Sequence, residues 1–462
     1  MIKIFHHHLS KVFLILFFIE YSIFFVAMYF GSRVRFLDSG SWYSNKHLIL
    51  ASLLFASILS LCLAAIGLYR RSLGRNDYEL FARATVAFSI STFLVIAVYY
   101  ILPTLMIGRS VLAYALVFAF FGMLTCRFIF KKVVKKNVLK KNILVVGCGN
   151  NAKKILQNNK GYFHQGFKIV GCFATKNEEI AVDKNKVFNP KLKLIDIVNK
   201  CSIDEIVIAL DDRRQGMPID ELLECKISGT KIVDLLSFYE RENAYVDLSN
   251  LQPSWMVFSD GFIKGGMVTT VKRLFDFIAS FCLLMFTFPI MIFTALAICL
   301  ESGFKAPIFY RQTRVGENNQ RFNVLKFRSM RTDAEKQGIQ FAKTDDDRIT
   351  RVGSFIRKYR IDELPQIFNV FSGEMSFVGP RPERPEFVEG FNRSIPFYKE
   401  RHCIKPGITG WAQLCYPYGE NEHDAIQKLQ YDLYYVKNYS LFLDLTIILH
   451  TVEVVLWGKG AR

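Results

Sequence analysis

Acidic residues are scarce in this chain: 41 Asp and Glu stand against 59 Lys and Arg in 462 residues, a formal net charge of +18. Charged residues of both signs make up only 22%, against 51% hydrophobic and 15% aromatic. That balance excludes disorder, a collagen-like repeat and an ordinary soluble basic protein. The ten cysteines form no Cys-x-x-Cys pair and no His/Cys spacing suited to zinc, which argues against a metal finger or a redox pair. Reduced, mostly buried thiols in a cytosolic compartment are expected instead. His6, His7 and His8 read as a solvated or headgroup-level N-terminus rather than a metal tract. The surplus positive charge needs a negative partner, for which nucleic acid, anionic lipid and a phosphorylated substrate all qualify.

Long apolar runs are what the chain has instead. Val12 to Phe30, Leu48 to Leu68, Ala84 to Leu102 and Val111 to Phe130 each approach the ~20 residues that a helix needs to cross the hydrocarbon core. The first is too long for a signal-peptide core and lacks a small-residue cleavage site, so it is expected to be retained. Arg70, Arg71, Arg75 and Arg83 lie between the second and third runs, and Lys131, Lys132, Lys135, Lys136, Lys140 and Lys141 follow the fourth. The opposite loops hold only Arg33, Arg35 and Lys46, or Arg109. The positive-inside rule then places both ends of the four-helix unit in the cytoplasm.

After the basic run comes an alternating α/β pattern. Asn142-Ile-Leu-Val-Val-Gly147-Cys148-Gly149-Asn150-Asn151-Ala152 reads as strand, glycine turn and helix, a place where backbone approaches a phosphate. Further strands are expected at Lys168 to Phe173, Glu205 to Leu210 and Lys231 to Val233. A nicotinamide site needs an acid near the end of the second strand, where Phe173, Ala174 and Thr175 stand. The Tyr-x-x-x-Lys pair of short-chain dehydratases is missing too, because Tyr162, Tyr239 and Tyr245 are followed four positions on by Gly166, Asn243 and Ser249. The domain therefore reads as structural or regulatory.

A fifth apolar run, Leu274 to Leu300, contains Pro289 and has basic residues on both flanks. Length alone reads it as a crossing span, whereas the flanking charge and the proline suit a helix that enters and leaves on one side. Beyond it, Tyr310 to Gly316 and Phe322 to Met330 read as a hairpin around Glu317, Asn318 and Asn319. Asp362 is expected to cap a helix that holds Pro365 in its first turn and stops at Gly373. A carboxylate at that position, with Glu363 beside it and Arg357 and Arg381 able to fork onto phosphate oxygens, suits phosphoryl transfer through an acyl phosphate. Asp362 and Glu363 also suit Mg²⁺, which is bound by one or two carboxylates plus substrate phosphates.

Lys272-Arg-Leu-Phe-Asp276, Asp362-Glu-Leu-Pro-Gln366, Gly379-Pro-Arg-Pro382 and Lys405-Pro-Gly-Ile-Thr-Gly-Trp411 resemble, in order and spacing, the blocks of the bacterial sugar transferases, the monotopic phosphoglycosyl transferases. Four spans and a Rossmann-like domain ahead of residue 268 resemble the large polyprenyl-phosphate hexose-1-phosphate transferases. Tyr416-Pro-Tyr-Gly419 and Gly458-Lys-Gly-Ala-Arg462 resemble the exosortase-associated exopolysaccharide branch.

The resemblance implies a membrane α-helical bundle (1–136), a cytoplasmic α/β Rossmann-like domain (137–252), a linker (253–267) and an α+β catalytic domain (268–462) with a re-entrant membrane helix (272–300) broken at Pro289. It implies transfer of sugar-1-phosphate from a UDP-sugar to undecaprenyl phosphate with release of UMP and a requirement for Mg²⁺. This is the first membrane step of exopolysaccharide, capsule or O-antigen assembly. Asp362 matches the nucleophile and Glu363 its partner, while Lys326, Arg328, Arg357, Arg381, Arg401, Lys405 and Asp432 match substrate or phosphate contacts. Relatives often carry Ser-Pro at the helix break, whereas here Thr287 and Phe288 precede Pro289. A location in the bacterial inner membrane, a homodimer and downstream glycosyltransferases as partners are also implied, and nucleic acid is not. The rival readings are a membrane-anchored nucleotide-sugar dehydratase or oxidoreductase, and a non-catalytic scaffold of polysaccharide assembly.

Overall fold

The computed structural model describes residues 2–4, 7–9, 11–35, 45–69, 77–135, 140–157, 167–175, 178–189, 192–212, 216–262, 265–334, 347–416 and 421–456. The sequence features at His6, Arg70, Arg71, Arg75, Lys136, Tyr162, Gly166, Pro417 to Gly419 and Gly458 to Arg462 lie outside them. Apart from a few N-terminal residues, one compact unit runs to Asn243 and a second begins at Ala244.

In the first unit, short strands β1 (Ile2–Ile4) and β2 (His7–Leu9) precede four helices, α1 (Lys11–Arg35), α2 (Asn45–Ala65), α3 (Asp77–Ile101) and α4 (Arg109–Lys135). All four are apolar and long enough to cross a membrane. Helices α1, α3 and α4 extend past the apolar runs because polar ends stay helical, and α2 stops at Ala65, short of Leu68. Asp77 and Glu79 sit in the first turn of α3, at the positive end of its dipole, and pair with Lys131 at 2.6 Å and Arg83 at 2.8 Å. Phe24, Met28, Phe55, Leu59 and Met123 fill the bundle core. At Gly31 an added Cβ would lie 2.9 Å from backbone atoms of both Val111 and Ala115, so the missing side chain is what lets α1 and α4 close up. Two charges hidden in the apolar runs meet there. Arg127 donates to Glu20 at 2.6 and 2.9 Å and to the Leu68 carbonyl, and the Tyr69 hydroxyl donates to Glu20. Each charge thus offsets the cost of burying the other.

The α/β part comprises β3 (Lys141–Val146), α5 (Asn150–Gln157), β4 (Phe167–Phe173), β5 (Val187–Phe188), α6 (Leu194–Lys200), β6 (Glu205–Ile208), α7 (Ile219–Ile227), β7 (Lys231–Asp234) and α8 (Leu235–Asn243). The sheet is parallel in order β5-β4-β3-β6-β7, so the strand order reverses at β3, whose C-terminal end carries the Gly147 turn. Ile143 to Val146 and Glu205 to Ile208 are wholly buried, the unbroken pattern of strands covered on both faces.

The second unit begins earlier than the sequence suggests, because residues 244–262 pack onto it. The Val246 amide donates to the Gln430 carbonyl at 3.1 Å, the Trp411 indole donates to the Ala244 carbonyl, and Lys437 lies 3.8 Å over the Trp255 ring. Val246, Leu248, Leu251 and Trp255 make this stretch apolar, so it buries on the core instead of acting as a free linker.

Then follow α9 (Pro253–Phe258), α10 (Gly266–Glu301), β8 (Phe309–Val315), β9 (Arg321–Phe327), α11 (Arg351–Lys358), α12 (Gln366–Ser372), β10 (Ser376–Val378), α13 (Pro385–Ser394), β11 (Gly407–Thr409), α14 (Trp411–Cys415), α15 (Glu422–Lys437) and α16 (Leu441–Leu456). Strands β8 and β9 form the expected antiparallel hairpin, with Asn318 and Asn319 at positive φ in its turn. Strands β10 and β11 pair in parallel.

Helix α10 stays helical through Pro289. The Thr287 hydroxyl donates to Leu283 at 2.7 Å, not to Met285, whose carbonyl is the one the proline leaves without its usual donor. Three polar residues of the Lys272-Arg-Leu-Phe-Asp276 block dock the first half of the helix. Lys272 donates to Asp444, Tyr435 and the Val378 carbonyl, Arg273 donates to the carbonyls of Val370 and Phe371, and Asp276 accepts from the Phe377 amide at 3.1 Å. The second half packs Met291 and Ile298 against Phe327 and Ile356.

Candidate active site

Four segments of the second unit converge on Asp362 and Glu363. The end of β9 brings Lys326, the last turn of α11 brings Arg357, the residues before the pair bring Arg360, and the loop after β10 brings Arg381. The seat beneath them is apolar: Ile361 and Leu364 pack with Phe327, Ile356 and α10. Asn369 on α12 stitches that helix to β9, accepting from the Leu325 amide at 3.0 Å and donating to the Asn323 carbonyl at 2.8 Å, which sets the position of Lys326.

Asp362 does not cap α12. It lies in a separate 3-10 turn, Ile361–Glu363, and α12 starts at Gln366 behind Pro365. The break comes from Pro365, which has no N–H to donate to the Ile361 carbonyl, so the Leu364 amide takes that carbonyl at 3.2 Å in a 3-10 turn; Arg360, at φ +58°, separates this turn from α11. Gly373 does end α12, at φ +86°.

The two carboxylates have opposite environments. Glu363 is held by Lys326 at 3.0 Å, Arg381 at 3.3 Å and Arg360 at 3.8 Å. Burial alone would raise its pKa, but these three cations outweigh burial and hold it well below the usual carboxylate range. Asp362 is buried, and its Oδ1 has no hydrogen-bond partner among the described residues. Burial pushes its pKa up to about 6, with Glu363 adding to the rise and Lys326, Arg357 and Arg360 pulling against it. Arg357 Nη1 and Arg328 Nε are likewise buried without a partner. One carboxylate is thus a fixed counter-ion, and the other has an oxygen free to react or to bind.

Arg401 and Asp432 act one layer back. Arg401 reaches Asp432 at 2.8 and 3.0 Å and donates to the Tyr398 hydroxyl and to the Arg381 carbonyl. From the other side Arg314 donates to the Pro382 carbonyl at 3.1 Å, its own pKa lowered to about 10 by burial. The Gly379-Pro-Arg-Pro382 loop is therefore clamped on both sides of Arg381. Lys405 is not brought to the pair. It lies with Arg273 beside Gly373, where an added Cβ would come within 3.4 Å of both side chains, at the negative end of α12. The Lys405-Pro-Gly-Ile-Thr-Gly-Trp411 block contributes close backbone packing instead, since a Cβ at Gly407 would lie 2.0 Å from the Gly379 nitrogen.

Among the described residues no group of three His, Cys, Asp or Glu side chains could hold a metal ion. With Glu363 committed to cations, the free Asp362 oxygen is the ligand on offer. That set suits a hard cation arriving with phosphate oxygens, not a resident metal in a protein cage.

The site is a buried acid beside a clamped arginine, on a unit that packs along an apolar helix. The comparisons place it further: the chain belongs to the bacterial sugar transferase family, whose model matches residues 267–458. A CoA-binding domain model matches residues 64–224. The UDP-glucose:undecaprenyl-phosphate glucose-1-phosphate transferase of Xanthomonas campestris pv. campestris is 34% identical over 69% of this chain and 67% of its own length. The UDP-N-acetylgalactosamine-undecaprenyl-phosphate N-acetylgalactosaminephosphotransferase of Aeromonas hydrophila is 48% identical over 56% of this chain, and the match spans only 60% of that relative. The exopolysaccharide production protein PSS of Rhizobium leguminosarum bv. phaseoli is 40% identical over 42% of this chain and its own full length.

Proposed function

We propose that the protein transfers a sugar 1-phosphate from a UDP-sugar to undecaprenyl phosphate, releasing UMP, as the first membrane step of a cell-surface polysaccharide. The observation that carries this reading is the buried Asp362 with an unpartnered oxygen, next to a Glu363 already neutralised by Lys326 and Arg381. The ionised Asp362 oxygen attacks the β-phosphorus of the UDP-sugar, the phosphoanhydride bond breaks, and UMP leaves with the bonding electrons. An oxygen of the lipid phosphate then attacks the aspartyl phosphate, the acyl-phosphate bond breaks, and Asp362 is regenerated. Arg357 and Arg381 steady the phosphate oxygens through both steps. Mg²⁺, held beside Asp362 with the substrate phosphates, would supply charge neutralisation for the diphosphate.

Helix α10 is read as re-entrant, with the catalytic unit on the cytoplasmic face of the inner membrane. Lys272 to Glu301 spans about 43 Å of helix, at 1.5 Å per residue, more than the ~30 Å hydrocarbon core. Yet Lys272 binds Asp444 while Glu301 accepts from the Val352 amide of the same unit. Contact with one globular unit at both ends supports entry and return on one side. The basic stretches around the spans support the cytoplasmic side. A homodimer, and downstream glycosyltransferases that take the lipid-linked sugar, complete the reading.

The test is UMP release by purified protein with Mg²⁺, undecaprenyl phosphate and a panel led by UDP-N-acetylgalactosamine and UDP-glucose, the donors named for two relatives. Lipid-dependent UMP from one donor, lost in Asp362→Asn, is expected. Equal UMP from the mutant would remove Asp362 from the chemistry. A cellular role preserved without this carboxylate would favour the scaffold.

A further inference from the structure

The CoA-binding family model and the Rossmann topology both imply a nucleotide diphosphate at the turn after β3. The residues there do not fit one. In this fold the phosphate is bound by backbone N–H groups of the glycine turn and the following helix. Here those donors already have partners. The amides of Asn150 and Asn151 donate to the two oxygens of Asp211 at 2.8 and 2.9 Å, and the Gly149 amide donates to Glu178 at 3.1 Å. Asp211 follows β6, the strand beside β3 at the switch point, and so enters the crevice from the side a ligand would use. Glu178 comes from beyond β4 and is held by the Thr175 hydroxyl at 3.1 Å.

The glycine at the centre serves the same arrangement. A Cβ at Gly149 would lie 2.3 Å from an Asp211 carboxylate oxygen, so the space that glycine opens in this fold for a pyrophosphate is filled by the protein's own acid. Two negative charges stand where two phosphates would.

We propose that Asp211 and Glu178 are built-in phosphate mimics that close this cradle, so that the domain neither binds CoA nor a dinucleotide there and serves as a self-satisfied structural module. A diphosphate would have to displace both carboxylates, lose their charge-assisted hydrogen bonds and settle beside their charge. The acids also do what a bound ligand does elsewhere in this fold, neutralising the positive end of α5 and ordering the turn without cofactor.

Hydrogen exchange read by mass spectrometry on the full-length protein, over peptides spanning residues 147–157, tests this with CoA, NAD⁺, ADP and inorganic phosphate as probes. In the wild type no probe is expected to change the exchange of this segment. In Asp211→Ala the Asn150 and Asn151 amides lose a charged partner, and exchange should quicken roughly ten-fold or more. Inorganic phosphate should then restore protection in the variant, because the vacated donors again face an anion. Glu178→Gln, which keeps the side chain's shape, serves if Asp211→Ala does not fold, and is expected to quicken exchange at Gly149 and not at Asn150 or Asn151. Saturable protection of the wild-type segment by CoA, NAD⁺ or ADP would overturn the proposal, as would unchanged exchange in Asp211→Ala. Failure of phosphate to restore protection in that variant would overturn the mimicry.

Discussion

Asp362 and Glu363 are neighbours in sequence with opposite chemical fates, and the difference is set by which of them the cations touch. Lys326, Arg381 and Arg360 all lean on Glu363, so Asp362 keeps an unpaired oxygen and a pKa of about 6. Two outcomes follow from that raised value. UMP formation in a single turnover needs the Asp362 carboxylate, so its rate should fall about ten-fold per pH unit below pH ~6 and level off above it. Stability runs the other way. The folded state holds the proton more tightly than the unfolded chain, so the contribution of Asp362 is full below pH ~3.8 and is lost as pH rises through about 6. Asp362→Asn should therefore abolish turnover yet stabilise the protein by roughly 3 kcal/mol at neutral pH, visible as a higher denaturation midpoint. A midpoint unchanged across pH 4 to 8 would refute the strained-carboxylate view. The arginines separate in the same way: Arg401→Ala strands the buried Asp432 and should cost about 3–5 kcal/mol, whereas Arg381→Ala should slow turnover about 100-fold or more with a smaller loss of stability, because Lys326 and Arg360 still hold Glu363. Chemical denaturation alongside UMP kinetics distinguishes the two roles.

At the scale of elements, the block at the start of α10 is a docking surface. Lys272 and Asp444 are 172 positions apart, and both are almost wholly buried. Lys272→Met leaves the Asp444 charge uncompensated and should destabilise the second unit by about 3–5 kcal/mol, while Lys272→Met with Asp444→Leu should recover most of the loss. Thermal unfolding of the single and double variants measures the difference, and equal losses in both would show that the pair matters through shape alone. The helices themselves were legible, since α1 to α4 follow from apolar length and α12 stops at the glycine expected to stop it. The start of α12 was not. A proline and an aspartate in sequence suit a first turn, but the left-handed Arg360 ends α11 just ahead of Asp362, and the missing Pro365 N–H leaves Asp362 in a 3-10 turn before α12; nothing local announces that a non-glycine residue will adopt that φ.

At the scale of the whole molecule, each of the two units has its own core, around Phe55 and Leu59 in one and around Leu433 and Tyr434 in the other. All the residues that meet around Asp362 belong to the second unit. A chain beginning at Ala244 should therefore fold and keep lipid-dependent UMP release, whereas one beginning at residue 268, the boundary suggested by the sequence motifs, lacks the stretch that packs on α15 and should be markedly less stable. Expression of both truncations with the same UMP measurement decides this. Loss of activity in the longer one would give the first unit a part in the chemistry.

Hydropathy and motif order determined, without any coordinates, that this chain has four membrane-length helices, an α/β middle and a C-terminal part with the motif blocks of the bacterial sugar transferases. Those are properties of local windows, because the length of an apolar run, a glycine turn and a motif's spacing do not depend on what packs against them. Tertiary structure alone decided what the polar residues do: that Glu363 is pinned and Asp362 free, that Arg401 holds a backbone carbonyl, that Lys405 sits at the end of α12, and that Asp211 fills the glycine turn. Each of these rests on partners tens of residues apart, and only packing determines which charge reaches which buried donor before water does.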